Sequence, residues 1–218
     1  MLNTVSPELR TLVVGDDPAA WEAAGFRVQD GETAIGSIAV RFVAGPDSGV
    51  VGLEFDGVED GPIDGLPATG TTALPAEPVE HPNGVSRMDH VVVMTPDLER
   101  TTAALEQAGF SVRRTREVLE ATPPRRQAFL WAGETILEVV GPVTPSGTGP
   151  ASIWGLALTT DDLPAAVELL EDRLTTPKPA VQPGREIATV KTGDIGVSLA
   201  LALMTAHVDP KPLEQSDA

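Results

Sequence analysis

Two side chains in this 218-residue sequence are of types that could do chemistry where they stand. His90 lies in the apolar run MDHVVVM (88–94) and Glu138 in TILEVVG (135–141). An imidazole near neutral pH accepts, donates or ligates. A carboxylate aimed at the inner face of a sheet needs a cation, a hydrogen-bond donor or a raised pKa. Strand alternation places His90 on the face of Val92. A strand histidine can equally be an inward residue satisfied by one hydrogen bond, and that reading stays open beside the functional one. Arg126 and Gln127 precede a strand, and Arg185 follows QPG at a similar place further on. Arginines so placed either clasp a carboxylate or phosphate in bidentate fashion or pair with some of the chain's 32 acidic residues. Trp131 and Trp154 can stack on a ligand or fill a core. Gln182 falls with Lys178 on a loop.

The elements that must position these residues come from a repeat. Residues 88–110 read as a short strand, a helix and a Gly-Phe stop. Thr95 is placed to cap the helix, Pro96 to open it, and Gly109 to end it in the left-handed region. Leu98, Thr102 and Leu105 share one face. SVRRTREV, QAFLWAG and ETILEVVG follow as three strands split by turn residues. Residues 153–174 restate the opening as IWGLALTTDDLPAAVELLEDRL, with Thr95, Asp97, Leu98, Leu105 and Glu106 matched at a constant offset of 65 residues. Leu163, Val167, Leu170 and Leu174 form its apolar stripe. REIATVKTG and DIGVSLALAL close this second unit.

The fold class is therefore α+β: tandem βαβββ modules forming a curved mixed sheet with helices outside. The domain reading has four parts. Residues 1–57 are a degenerate N-terminal βαβββ module, in which Gly25-Phe26 corresponds to Gly109-Phe110. Residues 58–84, rich in Pro and Gly, are a linker. Residues 85–204 are one domain of two modules (85–143 and 150–204), and 205–218 is a tail. In an alternative reading, VVGLEFDG copies IWGLALTT and opens a fourth unit that has lost its helix. The Pro-Asn-Gly after His81 reads as a turn. Asp16-Asp17 and Asp161-Asp162 fall at helix starts, where capping accounts for them.

Composition narrows the partners. The net charge of −17 repels phosphate backbones and anionic membranes, so neither nucleic acid nor a membrane surface is expected. With no cysteine there is no disulfide, thiolate metal site or cysteine nucleophile. No apolar run approaches the roughly 18 residues of a membrane span. The N-terminus has no signal-peptide pattern, and a cytoplasmic protein is expected. No phosphate-binding glycine loop or G-x-S-x-G motif occurs.

The segments MDHVVVMTPDLERTTAALEQAGF and ETILEVVG, with HPNG (81–84) just ahead, resemble the first module of a vicinal oxygen chelate domain, the superfamily of glyoxalases, bleomycin-resistance proteins and extradiol dioxygenases. The resemblance covers residues 81–204 well and 10–57 loosely. It implies a small-molecule ligand or substrate in a concave cavity, in a monomer or a homodimer. It also implies one divalent metal ion (Zn, Fe, Mn or Ni) on His90 and Glu138, with Glu138 catalytic. Arg126, Gln127, Trp131, Trp154, Gln182 and Arg185 are the candidate ligand-binding residues. The positions matching His90 and Glu138 in the second module read as Gly155 and Ser198, so the metal site is incomplete. Two functions follow as expectations. One is a metal-assisted lyase, isomerase or dioxygenase. The other is non-catalytic binding or sequestration of a small molecule by a resistance-type protein.

Overall fold

The structure is a computed structural model and describes residues 6–207. Two sheets organise it. The smaller is built from β1 (Glu8–Val14), β2 (Glu32–Ile35), β3 (Ile38–Phe42), β4 (Val50–Asp56) and β5 (Ala68–Gly70), with the short helix α1 (Pro18–Ala23) after β1. The larger uses β6 (Val85–Met94), β7 (Val112–Val118), β8 (Arg125–Ala132), β9 (Thr135–Pro142), β10 (Ser152–Thr160), β11 (Lys178–Pro179), β12 (Glu186–Val190) and β13 (Ala200–Thr205). Helix α2 (Leu98–Gln107) follows β6, and α3 (Leu163–Leu170) follows β10.

The order in the eight-stranded sheet, β11-β12-β13-β10-β6-β9-β8-β7, is that of two βαβββ modules joined back to back. Within each module the last strand runs parallel to the first: β9 beside β6 and β13 beside β10. The two modules meet antiparallel through β6 and β10, with Val91 opposite Leu156. The tandem architecture expected from the repeat is therefore present, and the modules pair within one chain.

The five-stranded sheet, in the order β2-β3-β1-β4-β5, follows the same plan with fewer strands. β3 lies parallel to β1, β4 antiparallel to β1 with Leu53 opposite Leu12, and β5 parallel to β4. Strand β4 thus stands where β10 stands in the larger sheet. VVGLEFDG, which the alternative reading sets beside IWGLALTT, forms this strand. The stretch 58–84, expected as a linker, carries structure of its own. It supplies β5, buries Ile63 and Leu66, and is pinned to α2 by Asp64, which accepts from Arg100 Nε at 2.7 Å and from Thr101 Oγ1. A three-residue strand among prolines and glycines carries too short a pattern to be read beforehand.

Helix capping differs in detail from expectation. Asp97, not Thr95, caps α2 by accepting from the Arg100 N–H at 3.1 Å. Asp162 caps α3 in the same way through the Ala165 N–H. Thr95 Oγ1 instead accepts from the Asp97 N–H and lies 2.6 Å from Thr101 Oγ1, and Thr101 rather than Thr102 is the buried threonine of α2. Asp17 caps α1, whereas Asp16 is buried. Asp16 accepts from Trp21 Nε1, the Gly49 N–H and the Ser198 N–H, which ties the smaller sheet to the loop before β13.

One hydrophobic cluster runs through both sheets. Met88, Val91 and Val93 of β6 enter it, and the smaller sheet meets the helix-bearing side of the larger one. Phe55 packs edge-on to Phe110 with ring centroids 5.2 Å apart, and Arg173 Nη1 donates to the Ala23 carbonyl at 2.8 Å. Alternation along β6 then leaves His90 and Val92 to the opposite, concave face. No helix among the described residues is long and apolar enough to cross a membrane.

Candidate site in the concave sheet

The concave face of the larger sheet encloses a cavity of about 610 Å³, within the roughly 300–1,000 Å³ of pockets that hold small organic molecules. His90 and Glu138 both line it. They are diagonal neighbours on adjacent parallel strands, since Val92 pairs with Glu138 while His90 pairs with Ile136. Gln127 lies one strand further out, and its Nε2 donates to Glu138 Oε1 at 2.7 Å.

His90 owes its orientation to a residue that the alternation rule assigned to the other face. Ala157 pairs with His90 and Leu158 with Met88, so Asp89 is the extra residue of a β-bulge. The bulge lets Asp89 Oδ2 accept from His90 Nδ1 at 2.6 Å. Asp89 is 5% exposed and also receives Arg185 Nη1 at 3.2 Å. Burial pushes the Asp89 carboxyl up, but the hydrogen bond from His90 and the charge of Arg185 outweigh it and hold the group well below the usual carboxylate range. A carboxylate on Nδ1–H fixes the tautomer, so Nε2 is the ring nitrogen with its lone pair available.

Glu138 has the opposite character. Burial raises its pKa, against the weaker opposing pull of His90 and Arg116. Beside it, Gln127 Oε1 is buried with no hydrogen-bond partner among the described residues. The wall thus offers an imidazole, a carboxyl whose pKa burial raises and an unsatisfied amide acceptor, on three adjacent strands of one sheet.

At the positions matching His90 and Glu138 the facing module contributes no such groups. The register β10/β13 pairs Gly155 with Ala200 and Ala157 with Ala202. Gly155 is thus the counterpart of His90, and Ala202, not Ser198, is the counterpart of Glu138. Ser198 lies before β13 and bonds to Asp16 instead. Gly155 cannot be otherwise without rearrangement, because a Cβ there would lie 2.4 Å from the Ala200 carbonyl oxygen.

The remaining expected residues divide. Gln127, Trp131, Trp154 and Gln182 line the cavity, the two tryptophans at its exposed rim. Arg126 does not. β8 alternation turns it to the helix side, where Nη1 meets Glu99 at 3.2 Å. Arg185 is 4% exposed and fully engaged by Asp89, Gln182, Thr159 and the Thr205 carbonyl, so it braces the site rather than facing a ligand. The sequence reading missed Asp89 and the cavity-facing Arg113, Arg114 and Arg116.

A divalent metal fits this donor set poorly. Catalytic zinc takes about three protein ligands plus water. Among the described residues no group of three or more His, Cys, Asp or Glu converges. Gln127 adds only a neutral amide oxygen.

The family described as Glyoxalase/Bleomycin resistance protein/Dioxygenase superfamily matches residues 89–189. Among solved structures, a methylmalonyl-CoA epimerase from Mycobacterium tuberculosis is 18% identical, with 57% of this chain and 91% of that chain covered and a TM-score of 0.44. A hypothetical protein from Bacillus halodurans is 12% identical (58% and 98% covered, TM-score 0.44). A variant methylmalonyl-CoA epimerase from Streptomyces coelicolor, in complex with 2-nitronate-propionyl-CoA, is 21% identical (57% and 99% covered, TM-score 0.43). No curated protein matches the chain.

Proposed function

We propose that the domain at residues 89–189, which match the glyoxalase/bleomycin resistance protein/dioxygenase superfamily, holds a small organic molecule in its concave cavity as a binding protein, without a resident metal ion. One observation carries this reading: where the first module presents His90 and Glu138, the second presents Gly155 and Ala202. Half a donor set leaves room on one wall and polar contacts on the other. That arrangement suits capture and orientation of a ligand, and it does not suit the bidentate activation of substrate oxygens that a metal would supply.

Metal analysis of protein purified without a chelating column tests it. The expected content is far below one equivalent, unchanged in Glu138→Gln. Stoichiometric metal in the wild-type protein, lost in Glu138→Gln, would overturn the reading in favour of a metal-assisted lyase, isomerase or dioxygenase.

A second reading is favoured by the His90 tautomer. An imidazole held at Nδ1 by a carboxylate, beside a carboxyl whose pKa burial raises, is the kind of acid–base pair that can move a proton at carbon next to a carbonyl without any metal. Solvent deuterium exchange into small 2-oxo and 1,3-dicarbonyl acids, followed by NMR, separates the two. Exchange above the buffer rate that disappears in His90→Ala supports proton transfer; no exchange leaves the binding reading.

A further inference from the structure

The chain carries 15 Lys and Arg against 32 Asp and Glu, so an arginine on its surface meets a carboxylate easily. Strand β7 and its neighbour β8 show that sorting. On the helix side, Arg126 lies at 3.2 Å from Glu99 and 3.9 Å from Glu117. On the cavity side, Arg114 stands opposite Phe129 and Arg116 opposite Gln127. The register slips between Val112 and Arg114, a bulge that turns Arg113 to the cavity as well. Arg113, Arg114 and Arg116 make no ion pair among the described residues, although the molecule as a whole is strongly acidic.

Among the described residues Glu138 is the only carboxylate lining the cavity, set against the three arginines. The cavity is thus a cationic spot in an anionic protein, and apolar walls of low dielectric strengthen its field. Opposite the arginines the wall is small and apolar, with Ala157, Ala200 and Ala202 on it, and Trp131 and Trp154 flank the mouth. We infer that the ligand is an organic anion: a carboxylate, phosphate or sulfonate held by Arg114 and Arg116, joined to a flat apolar body that lies between the alanine wall and the tryptophans. The inference rests on the cavity being the ligand site and names the class of molecule it takes.

Two dyes that share one ring system test it: 8-anilinonaphthalene-1-sulfonate and its uncharged parent, N-phenyl-1-naphthylamine. Binding is followed by dye fluorescence and by energy transfer from tryptophan. Arg114→Gln/Arg116→Gln is expected to weaken the sulfonate roughly tenfold or more, the scale of one lost charge-assisted hydrogen bond or greater. The uncharged dye should change less than about twofold, and added salt should weaken only the sulfonate, as expected for an ionic contact. Equal effects on both dyes, or none on either, overturn the anion inference while the cavity reading stands. Ala202→Leu, or Trp154→Ala at the exposed rim should the first not fold, is expected to weaken both dyes alike. Dye binding indifferent to these changes, or no binding by the wild-type protein, overturns the cavity reading itself.

Discussion

Removing the Asp89 carboxylate should unfold this protein more readily than any other single change at the site. Asp89 and Arg185 are both almost fully buried, and the guanidinium Nη1 reaches both carboxylate oxygens at 3.2 Å. Asp89→Ala leaves Arg185 charged and enclosed, with only neutral acceptors: the Thr205 carbonyl at 2.7 Å, Thr159 Oγ1 and Gln182 Oε1. Stripping one partner from a buried ion pair costs about 3–5 kcal/mol. Because three neutral acceptors survive, the lower end, near 3 kcal/mol, is expected. Arg185→Met is milder, since Asp89 keeps His90 and Arg87, and about 1–3 kcal/mol fits the loss of hydrogen bonds to a charged group. The double variant buries no orphan charge and should be more stable than Asp89→Ala alone, giving a coupling of roughly 2 kcal/mol. Urea unfolding at pH 7, read by far-UV circular dichroism, gives all four corners of the cycle. The reasoning fails if Asp89→Ala costs less than about 1 kcal/mol, or if the double variant loses the sum of the single losses.

Three further predictions follow from titration and packing. Glu138 is an acid whose folded-state pKa is raised, so the native state loses stability as pH climbs from the unfolded value near 4.3 toward the folded one, at no more than about 1.4 kcal/mol per pH unit. Glu138→Gln should therefore be more stable than wild type at pH 7, with the gap closing below about pH 4, as thermal melts across pH would show. His81 accepts from the Arg27 N–H through Nδ1 at 3.1 Å and bonds the Ala34 carbonyl through Nε2, and burial first of all lowers its pKa. Its contribution is complete above the unfolded value near 6.5 and is lost as pH falls toward the folded one. Denaturation midpoints of wild type should fall below about pH 6.5, while His81→Ala, weaker by about 1–3 kcal/mol at pH 7, should not share that part of the fall. Gly155→Ala should cost about 1–3 kcal/mol in urea melts, because its Cβ would press on Ala200.

The sequence was legible where pattern and period agree. The repeat at offset 65 located both modules, and the register through Val91 and Leu156 bears out Gly155 as the counterpart of His90. Setting DIGVSLAL against ETILEVVG, which matched Glu138 with Ser198, failed. The counterpart of Glu138 is Ala202, because the loop lengths ahead of β9 and β13 differ and only the hydrogen-bonded register fixes the match. Arg126 and Arg185 were plausible ligand groups by type. Their fates depended on which face β8 turns outward and on where a buried carboxylate waited, and neither is written in local sequence. The strand in 58–84 was hidden by its length of three residues.

Two of the four omissions have one cause. Asp89 and Arg113 each occupy a bulge, and a bulge is the place where counting alternate residues assigns the wrong face. At β6 the bulge brings an acid round to the imidazole it follows, which settles which nitrogen of His90 meets the cavity. At β7 it brings an extra arginine round to the same cavity. The polar character of the site therefore depends on two one-residue irregularities, both in the first module. The second module, whose β10 and β13 pair in unbroken register from Gly155 to Thr160, supplies a smooth wall of glycine and alanine. The asymmetry of the site is thus built into the strands, and restoring a histidine at Gly155 would require moving β13 rather than changing one side chain.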